Sequence, residues 1–480
     1  MPVIKIYNSL TRRLEEFQPL EQGIVKIYVC GPTVYDYNHL GHGRTYVLFD
    51  ALKRYLSLRG FHVFHVMNIT DIDDKIIKKA QMENRDWREV VDTYLKDYMD
   101  VLEKLNVKVD LHPRVTEHIS EIIDFIQILI DKEYAYVTPS GNVYFEVDKY
   151  SDYGLLSNRL EKTLWSQEQE FLSEKKKPYD FALWKAWKPG EPYWDSPWGR
   201  GRPGWHIECS VMSSKYLGKQ FDIHGGGVDL LFPHHENERA QSESAFGVKP
   251  WVRYWVHVGM FMYGSDKMSK SLGNIIPLRD VFKKYSGEIV RLMYYSTHYH
   301  KPQYYSDELL EQSSKLYNRL VNTFELLKKL LRESIDYYKS SESDLIVLRK
   351  LFETRIGFHK ALSNDFNTAE ALSYVNEYLT IVNRDLQYNP KYVLVNTAYR
   401  ILIEFNQVLG VLDKYIWEKP GEEILNVNNL IKIIVDIRNE LRKMKIYELA
   451  DRIRDELSKE GVFLMDKGLE TTWIVKKKRF

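Results

Sequence analysis

Two histidines three residues apart, with a glycine between them, are the first side chains in this sequence whose types point to chemistry. They are His39 and His42, flanking Gly41, in the stretch CGPTVYDYNHLGHGR at residues 30–44. Imidazole rings carry N–H donors, and a glycine lets a flat ring or a phosphate approach the backbone closely. At the mouth of a helix, where peptide N–H groups and the helix dipole face outward, such donors favour phosphate oxygens. A second group is metal-like. Cys30 and Cys209 are the two cysteines of the chain; Cys209 stands in GWHIECS beside His206, and FPHHENE supplies His234, His235, Glu236 and Glu238. Zinc takes Cys, His and carboxylate ligands, usually four in a closed site. Cys30, Cys209, His234 and Glu238 make such a set, with His234 and Glu238 four apart and so on one helix face. His235 and Glu236 remain alternative ligands. A third group is the lysine pair Lys267 and Lys270 of KMSKS. These lysines ride a polar loop and, taken alone, read as solvated charges.

The elements that must position these residues are legible around them. VKIYV, just before Cys30, alternates as a half-buried strand. Over residues 45–60, Val47, Leu48, Leu52, Tyr55 and Leu56 fall at helical spacing, Gly60 occupies a C′ position, and HVFHV resumes a strand. That is a βαβ unit with HLGH at the mouth of its helix. KQFDIH reads as another strand ending in Gly225, Gly226 and Gly227; Pro233 suits a first helical position; WVHVGMFM reads as the strand before KMSKS. Elsewhere the pattern predicts a short strand at 4–7, helices at 87–105 and 117–132, and a hairpin in YAYVTPSGNVYFEV. Asp71, Asp73 and Asp74 read as the solvated acidic start of a helix. Residues 149–203, rich in Trp, Pro and Lys, read as a turn-rich insertion packed against the core. From Ser306 the chain turns helical. Leu316, Leu320, Phe324, Leu327 and Leu331 form one seam, and amphipathic segments follow at 345–362, 368–387 and 393–412. KPGEEILNVNN reads as a linker, 430–444 and 447–460 as helices, then two strand-like runs and a basic KKKRF end.

HLGH after a first strand and KMSKS after a later one make the chain resemble a class I aminoacyl-tRNA synthetase. GWHIECS and FDIHGGGVDLLFPHHENE make it similar to the cysteinyl-tRNA synthetases. The resemblance is specific from near the N-terminus to about residue 310 and looser beyond. Leu40 stands where the commonest signature, HIGH, has isoleucine. The resemblance implies an α/β fold: a Rossmann-like parallel-sheet catalytic domain at 1–305, with a connective insertion at about 115–203 and a KMSKS loop region at about 255–305. A helical bundle at 306–415, touching the tRNA stem, and a small mixed anticodon-binding domain at 416–480 complete it. It implies one Zn²⁺ on Cys30, Cys209, His234 and Glu238, with the substrate thiolate as a further ligand, which selects cysteine over serine without an editing domain. It places Gly31, Thr70, Trp205 and His224 in the amino-acid pocket, with Asp229 on the α-ammonium. ATP, carrying Mg²⁺, would meet His39, Gly41, His42, Lys267, Lys270 and Gly225–Gly227. Taken without the resemblance, the pocket residues are a turn glycine, a cap, a core aromatic, a core histidine and a second cap.

Composition sets outer bounds. At 480 residues with 44% hydrophobic content the chain holds two or more domains, one of them large. A net charge of +1 does not announce a nucleic-acid binder, so tRNA phosphates would have to be met by local clusters such as RNELRKMK and KKKR. Trp473 is a candidate stacking partner for a splayed base. No apolar run approaches a membrane span, and the first residues lack the apolar core of a signal peptide; the expectation is a cytoplasmic monomer. Three rivals fare worse. A metalloprotease wants HExxH, and HENER has Arg239 where the second histidine must fall. A cysteine ligase acting on another amine would not need the long helical extension. A non-catalytic RNA-binding module would leave HLGH and KMSKS without purpose.

Overall fold

The computed structural model describes all residues except 1, 166–172, 265, 268–274, 335–340, 388–389, 417–426, 468–469 and 476–480. Lys270, Ser271 and the KKKRF end therefore lie outside the described residues. At the centre is a four-stranded parallel sheet. Its strands and flanking helices are β1 (Ile24–Val29), α1 (Leu40–Leu58), β2 (His62–Met67), α2 (Trp205–Leu217), β3 (Phe221–Gly227), α3 (Glu236–Phe246) and β4 (Val252–Val258). Spatial order is β4-β3-β1-β2. β1 and β3 are neighbours, with Val29 opposite Gly225, yet the chain leaves each toward opposite edges of the sheet. That is the switch point at which open α/β sheets bind ligands, outside the carboxyl ends of the strands. Cys30 and Gly225–Gly227 stand there.

The expected βαβ unit is present. Helix α1 starts earlier than its apolar spacing suggested, at Leu40, because His39 caps it; Gly60 adopts the positive φ that follows its end. The insertion between β2 and α2 is more regular than its composition implied. Ala135–Val137 and Val143–Phe145 form the expected hairpin, and Phe181–Ala186 with Gly201–Pro203 extend it into a four-stranded antiparallel sheet. Asp71 is not solvated: it is buried and accepts from Thr116 N at 2.9 Å and Thr116 Oγ1 at 2.6 Å. Asp73 caps the helix Asp74–Glu83, while Asp74 pairs with Lys185 and Arg202 of the insertion. Pro233 takes the expected first helical position: Phe232 before it is extended, the residues after it are helical, Glu236 N–H donates back to Pro233 O, and the regular run continues through Glu236–Phe246.

Contacts divide the chain into Met1–Leu412 and Asp413–Phe480. In the first unit the helices Asp307–Glu333, Glu342–Ser363, Thr368–Ile381 and Tyr392–Leu409 follow the sheet, and the last of them packs on α1. The long helix buries Ser313, Tyr317, Leu320, Thr323, Phe324, Leu327 and Leu330, so its seam is turned slightly from the expected one and leaves Leu316 and Leu331 half-buried. In the second unit Val427–Lys443 and Tyr447–Lys459 are helical, so the expected linker ends before Val427. Val462–Lys467 and Glu470–Val475 pair antiparallel. Trp473 faces inward opposite Leu464, against Ile431, Val435 and Val462. Strand alternation presents Thr472 and Ile474 outward instead, which corrects the stacking role expected of this indole.

Candidate active site and metal centre

Cys30 follows directly on β1, and its N–H donates to Gly225 O of β3 at 3.1 Å. The thiol projects beneath the switch point. Cys209 comes from the second turn of α2, and the helical turn opened by Pro233, running into α3, delivers His234 and His235, with Glu238 just beyond them. All of these are buried. Cys30 Sγ lies 3.7 Å from Cys209 Sγ and 3.5 Å from Glu238 Oε1, and His234 Nε2 lies 3.0 Å from the same oxygen. A tetrahedral zinc with sulfur at about 2.3 Å and oxygen at about 2.0 Å spaces two sulfurs about 3.8 Å apart, and sulfur from oxygen about 3.5 Å. The donor set fits on both edges, while the His234–Glu238 edge is a hydrogen bond and somewhat shorter than an ion would set it.

A second, overlapping cluster comprises Cys30, His224, His235 and Glu238. Here His235 Nε2 is 3.3 Å from Cys30 Sγ but 4.0 Å from Glu238 Oε1, and His224 Nε2 meets the other carboxylate oxygen at 2.7 Å. His235 turns its Nδ1 to His257 at 2.8 Å, and His257 bonds Ser9 Oγ at 2.7 Å. Outer partners of this kind orient metal-binding side chains. Glu236 joins neither cluster: its Oε2 accepts Ser157 N at 2.7 Å.

Charge within the cluster follows from its burial. Burial alone would raise the Glu238 carboxyl, but His224 and His234 beside it outweigh that and hold it well below the usual range. Burial also opposes ionisation of Cys209, yet hydrogen bonds from Cys30 and His234 bring its thiol down to about 6. Burial, reinforced by Cys209, pushes the Cys30 thiol well up. A thiolate is the form that binds metal, and one is already favoured here.

The HLGH segment forms a reciprocal cap. His39 Nδ1 accepts Gly41 N at 3.1 Å, and His39 N donates to His42 Nδ1 at 3.4 Å. The two rings stack with centroids 3.7 Å apart. A Cβ on Gly41 would sit 3.0 Å from the His39 ring, so the glycine is what lets the histidine fold back. Beside this mouth runs the chain that returns from KMSKS: Leu40 N donates to Ile276 O at 3.2 Å, and Leu278 N to Asn38 O at 2.8 Å.

Two family descriptions match: "tRNA synthetases class I (C) catalytic domain" over residues 16–315 and "DALR domain" over 357–413. Cysteine–tRNA ligase of Staphylothermus marinus is 67% identical over 99% of both chains, and that of Saccharolobus solfataricus 53% over 98% of both. The chain belongs to the cysteine–tRNA ligase family. The fold alone extends further: methionyl-tRNA synthetase of Mycobacterium tuberculosis, solved with methionyl-adenylate, superposes with a TM-score of 0.58 at 16% identity, covering 82% of this chain and 91% of that one. Among the described residues no helix is long and apolar enough to cross a membrane.

Around the Cys30–Cys209–His234–Glu238 cluster the remaining expected residues fall as follows. Gly31 N donates to Asn68 Oδ1 at 2.9 Å. Thr70 Oγ1 donates to Glu208 Oε2 at 2.8 Å. Trp205 lies against His234 with centroids 4.3 Å apart, and His224 stacks on Trp255 at 4.7 Å. Asp229 is exposed, just past β3. The close approach expected at the three glycines is made by the protein itself. A Cβ at Gly225 would strike the Phe49 ring of α1 at 1.9 Å, at Gly226 it would meet Leu230 at 2.9 Å, and at Gly227 Asp229 Oδ1 at 2.5 Å. Lys267 pairs in register with Met262, and Lys270 lies outside the described residues. Sequence reasoning missed Asn68, Glu208 and His257. Asn68 ties Gly31 to Thr70 and stands 3.7 Å from Cys209 Sγ. Glu208 is fully buried, its carboxyl pushed well up by burial and by Cys209. Its place next to Cys209 in GWHIECS was the available signal; Asn68 and His257 carried none.

Proposed function

We propose that this chain, an ATP-dependent aminoacyl-tRNA ligase of the cysteine–tRNA ligase family, activates L-cysteine to cysteinyl-adenylate and transfers it to the 3′-terminal adenosine of its tRNA. The amino acid is chosen by its sulfur. The observation that carries this reading is the convergence of both sulfurs, 3.7 Å apart, with Glu238 and His234 at the switch point of the sheet. Cys30, Cys209, His234 and Glu238 would hold one zinc ion, which supplies a soft partner for a thiolate that a serine hydroxyl replaces poorly. Trp205, His224, Gly31 and Thr70 shape the pocket, and Asp229 offers a carboxylate for the α-ammonium.

The substrate carboxylate is already ionised, so no general base is needed for attack on the α-phosphate. What the protein contributes is in-line placement and donors where charge develops. His39 and His42 spend their Nδ1 atoms on the cap, so Nε2 is the atom each directs to phosphate. Lys267 and Lys270 face the leaving pyrophosphate, with Mg²⁺ arriving on ATP, and Gly225–Gly227 and Gly41 border the nucleotide. A ribose hydroxyl of the terminal adenosine, the 2′-OH in the usual class I pattern, then attacks the adenylate carbonyl and releases AMP. Residues 306–415 and 416–480 meet the tRNA stem and anticodon, and the enzyme works as a cytoplasmic monomer. ATP–pyrophosphate exchange with cysteine and serine in parallel, with and without a zinc chelator, tests the reading. Cysteine should be favoured by about 10⁴-fold or more and the preference should collapse on chelation; a preference that survives loss of the metal overturns it.

A further inference from the structure

Arg44, the last residue of the HLGH stretch, has no part in the reaction described above, yet its surroundings are unusual. It is fully buried in α1, and its hydrogen bonds go to backbone carbonyls: Nη1 to Gly259 O at 2.8 Å and Met260 O at 3.1 Å, Nη2 to His298 O at 3.2 Å and Lys301 O at 2.8 Å. Its Nε has no partner. Burial draws its ionisation down to about 10. A guanidinium buried with no carboxylate partner among the described residues is an expensive way to join a helix to a strand, which apolar side chains do more cheaply. What the planar fork provides instead is simultaneous, directional hold on two separate backbone segments.

Those segments have one thing in common. Gly259 and Met260 precede the strand Phe261–Tyr263, whose Met262 stands opposite Lys267. His298 and Lys301 precede Gln303–Tyr304, which pairs along the other side of that same strand. The two segments touch directly through Gly259 N and Tyr299 O at 2.7 Å, and a Cβ at Gly259 would collide with Lys301 O at 2.5 Å. From the far side Asp365 Oδ1 accepts Tyr299 OH at 2.7 Å, which keeps the carbonyl cage in place. The chain beyond Lys267 comes back beside Asn38 and Leu40, at the mouth of α1.

We propose that Arg44 is a positioning residue for phosphate chemistry, fixing the root of the strand Phe261–Tyr263, against which the strand bearing Lys267 pairs, relative to the helix whose mouth carries His39 and His42. This rests on the reading of KMSKS as the clamp for ATP phosphates. Groups addressing one triphosphate from two elements must keep their spacing, and a misplacement of about 1 Å costs about 10²-fold in rate.

The test is a double-mutant cycle on the full-length enzyme, measuring ATP–pyrophosphate exchange, zinc content and thermal melting for Arg44→Gln, Arg44→Lys, Lys267→Ala and the paired variants. Arg44→Gln should lower kcat for exchange by about 30–100-fold, leave the KM for cysteine and the zinc content unchanged, and be partly rescued by lysine. In the Lys267→Ala background the same change should cost no more than about 3-fold, because the group it positions is gone. Losses that multiply in full would assign Arg44 a merely structural role and overturn the proposal, as would a wild-type kcat in Arg44→Gln alongside a defective Lys267→Ala. A fully active Lys267→Ala would instead remove the clamp reading beneath it. If Arg44→Gln fails to fold, Arg44→Lys carries the cycle.

Discussion

A single methyl group at Gly31 should disable the centre without touching any proposed ligand. Cys30 to Val34 runs alongside Asn68–Thr70, held by Thr70 N to Pro32 O at 3.1 Å and Val34 N to Thr70 O at 3.2 Å. A Cβ at Gly31 would sit 1.7 Å from Asn68 O and 2.8 Å from its carbonyl carbon. Carbon–oxygen contacts settle near about 3.3 Å, so the two backbones must part by about 1.6 Å. Backbone is on both sides, so no flexible side chain absorbs the strain, and overpacking of this kind costs about 1–3 kcal/mol of stability. The larger effect is on Cys30, one residue away, whose sulfur must stay 3.7 Å from Cys209 and 3.5 Å from Glu238. A displacement of about 1 Å lowers kcat/KM for cysteine by about 10²-fold. Gly31→Ala should therefore be soluble, melt a few degrees lower, lose most of its zinc by metal analysis, and show that deficit in pyrophosphate exchange. A soluble variant with full zinc and an unchanged KM for cysteine would refute the packing argument.

Replacing His42 by alanine should cut pyrophosphate exchange by about 10²–10³-fold while cysteine binding, followed by tryptophan fluorescence, stays within about 2-fold; equal losses in both would place His42 outside the phosphate site. Gly225→Ala drives a methyl into Phe49 at 1.9 Å; it should fail to accumulate as folded protein, and Phe49→Leu in the same chain should restore part of it. Glu404 accepts from His359 Nε2 at 2.6 Å and Arg355 Nε at 2.7 Å. Burial alone would raise its carboxyl, but those two partners outweigh it and bring the value to about 2. A depressed carboxylate stabilises the fold fully above its unfolded value of about 4.3, and the effect fades as pH falls toward 2. Discounted for the partly exposed arginine, Glu404→Gln should cost about 1–2 kcal/mol at pH 7, with a smaller gap between melting curves at pH 3.5; a gap that widens on acidification would contradict the sign.

Much of the architecture was readable because periodicity carries it. The βαβ unit, the hairpin at Gly141 and the amphipathic helices beyond Ser306 each repeat a pattern long enough to be unambiguous. What composition hid was order inside the insertion: Phe181–Ala186 is a strand although it sits among Trp, Lys and Pro, because pairing to Val143–Phe145 outweighs local turn preference. Of the site, the ligand types stood out as rare residues, whereas Asn68 and His257 have no distinguishing neighbourhood and gain meaning only when remote segments meet. The glycines of β3 were legible as places of close approach, but not what approaches: an aromatic ring of α1 rather than open space. Trp473 illustrates the converse, since strand parity, not residue type, decides which way an indole faces.

The cluster brings Cys30, just past β1, against Cys209 of α2, 179 residues apart in sequence. At ribosomal speeds of about 5–20 residues per second, Cys30 emerges about 10–40 seconds before its partner thiol has been made. Throughout that interval the nascent chain displays one of the four proposed ligands, a lone sulfhydryl at the tip of an edge strand. A metal held by the proposed set would thus be captured late in biosynthesis, and any truncated product ending before α3 would lack the residues proposed to tell sulfur from oxygen.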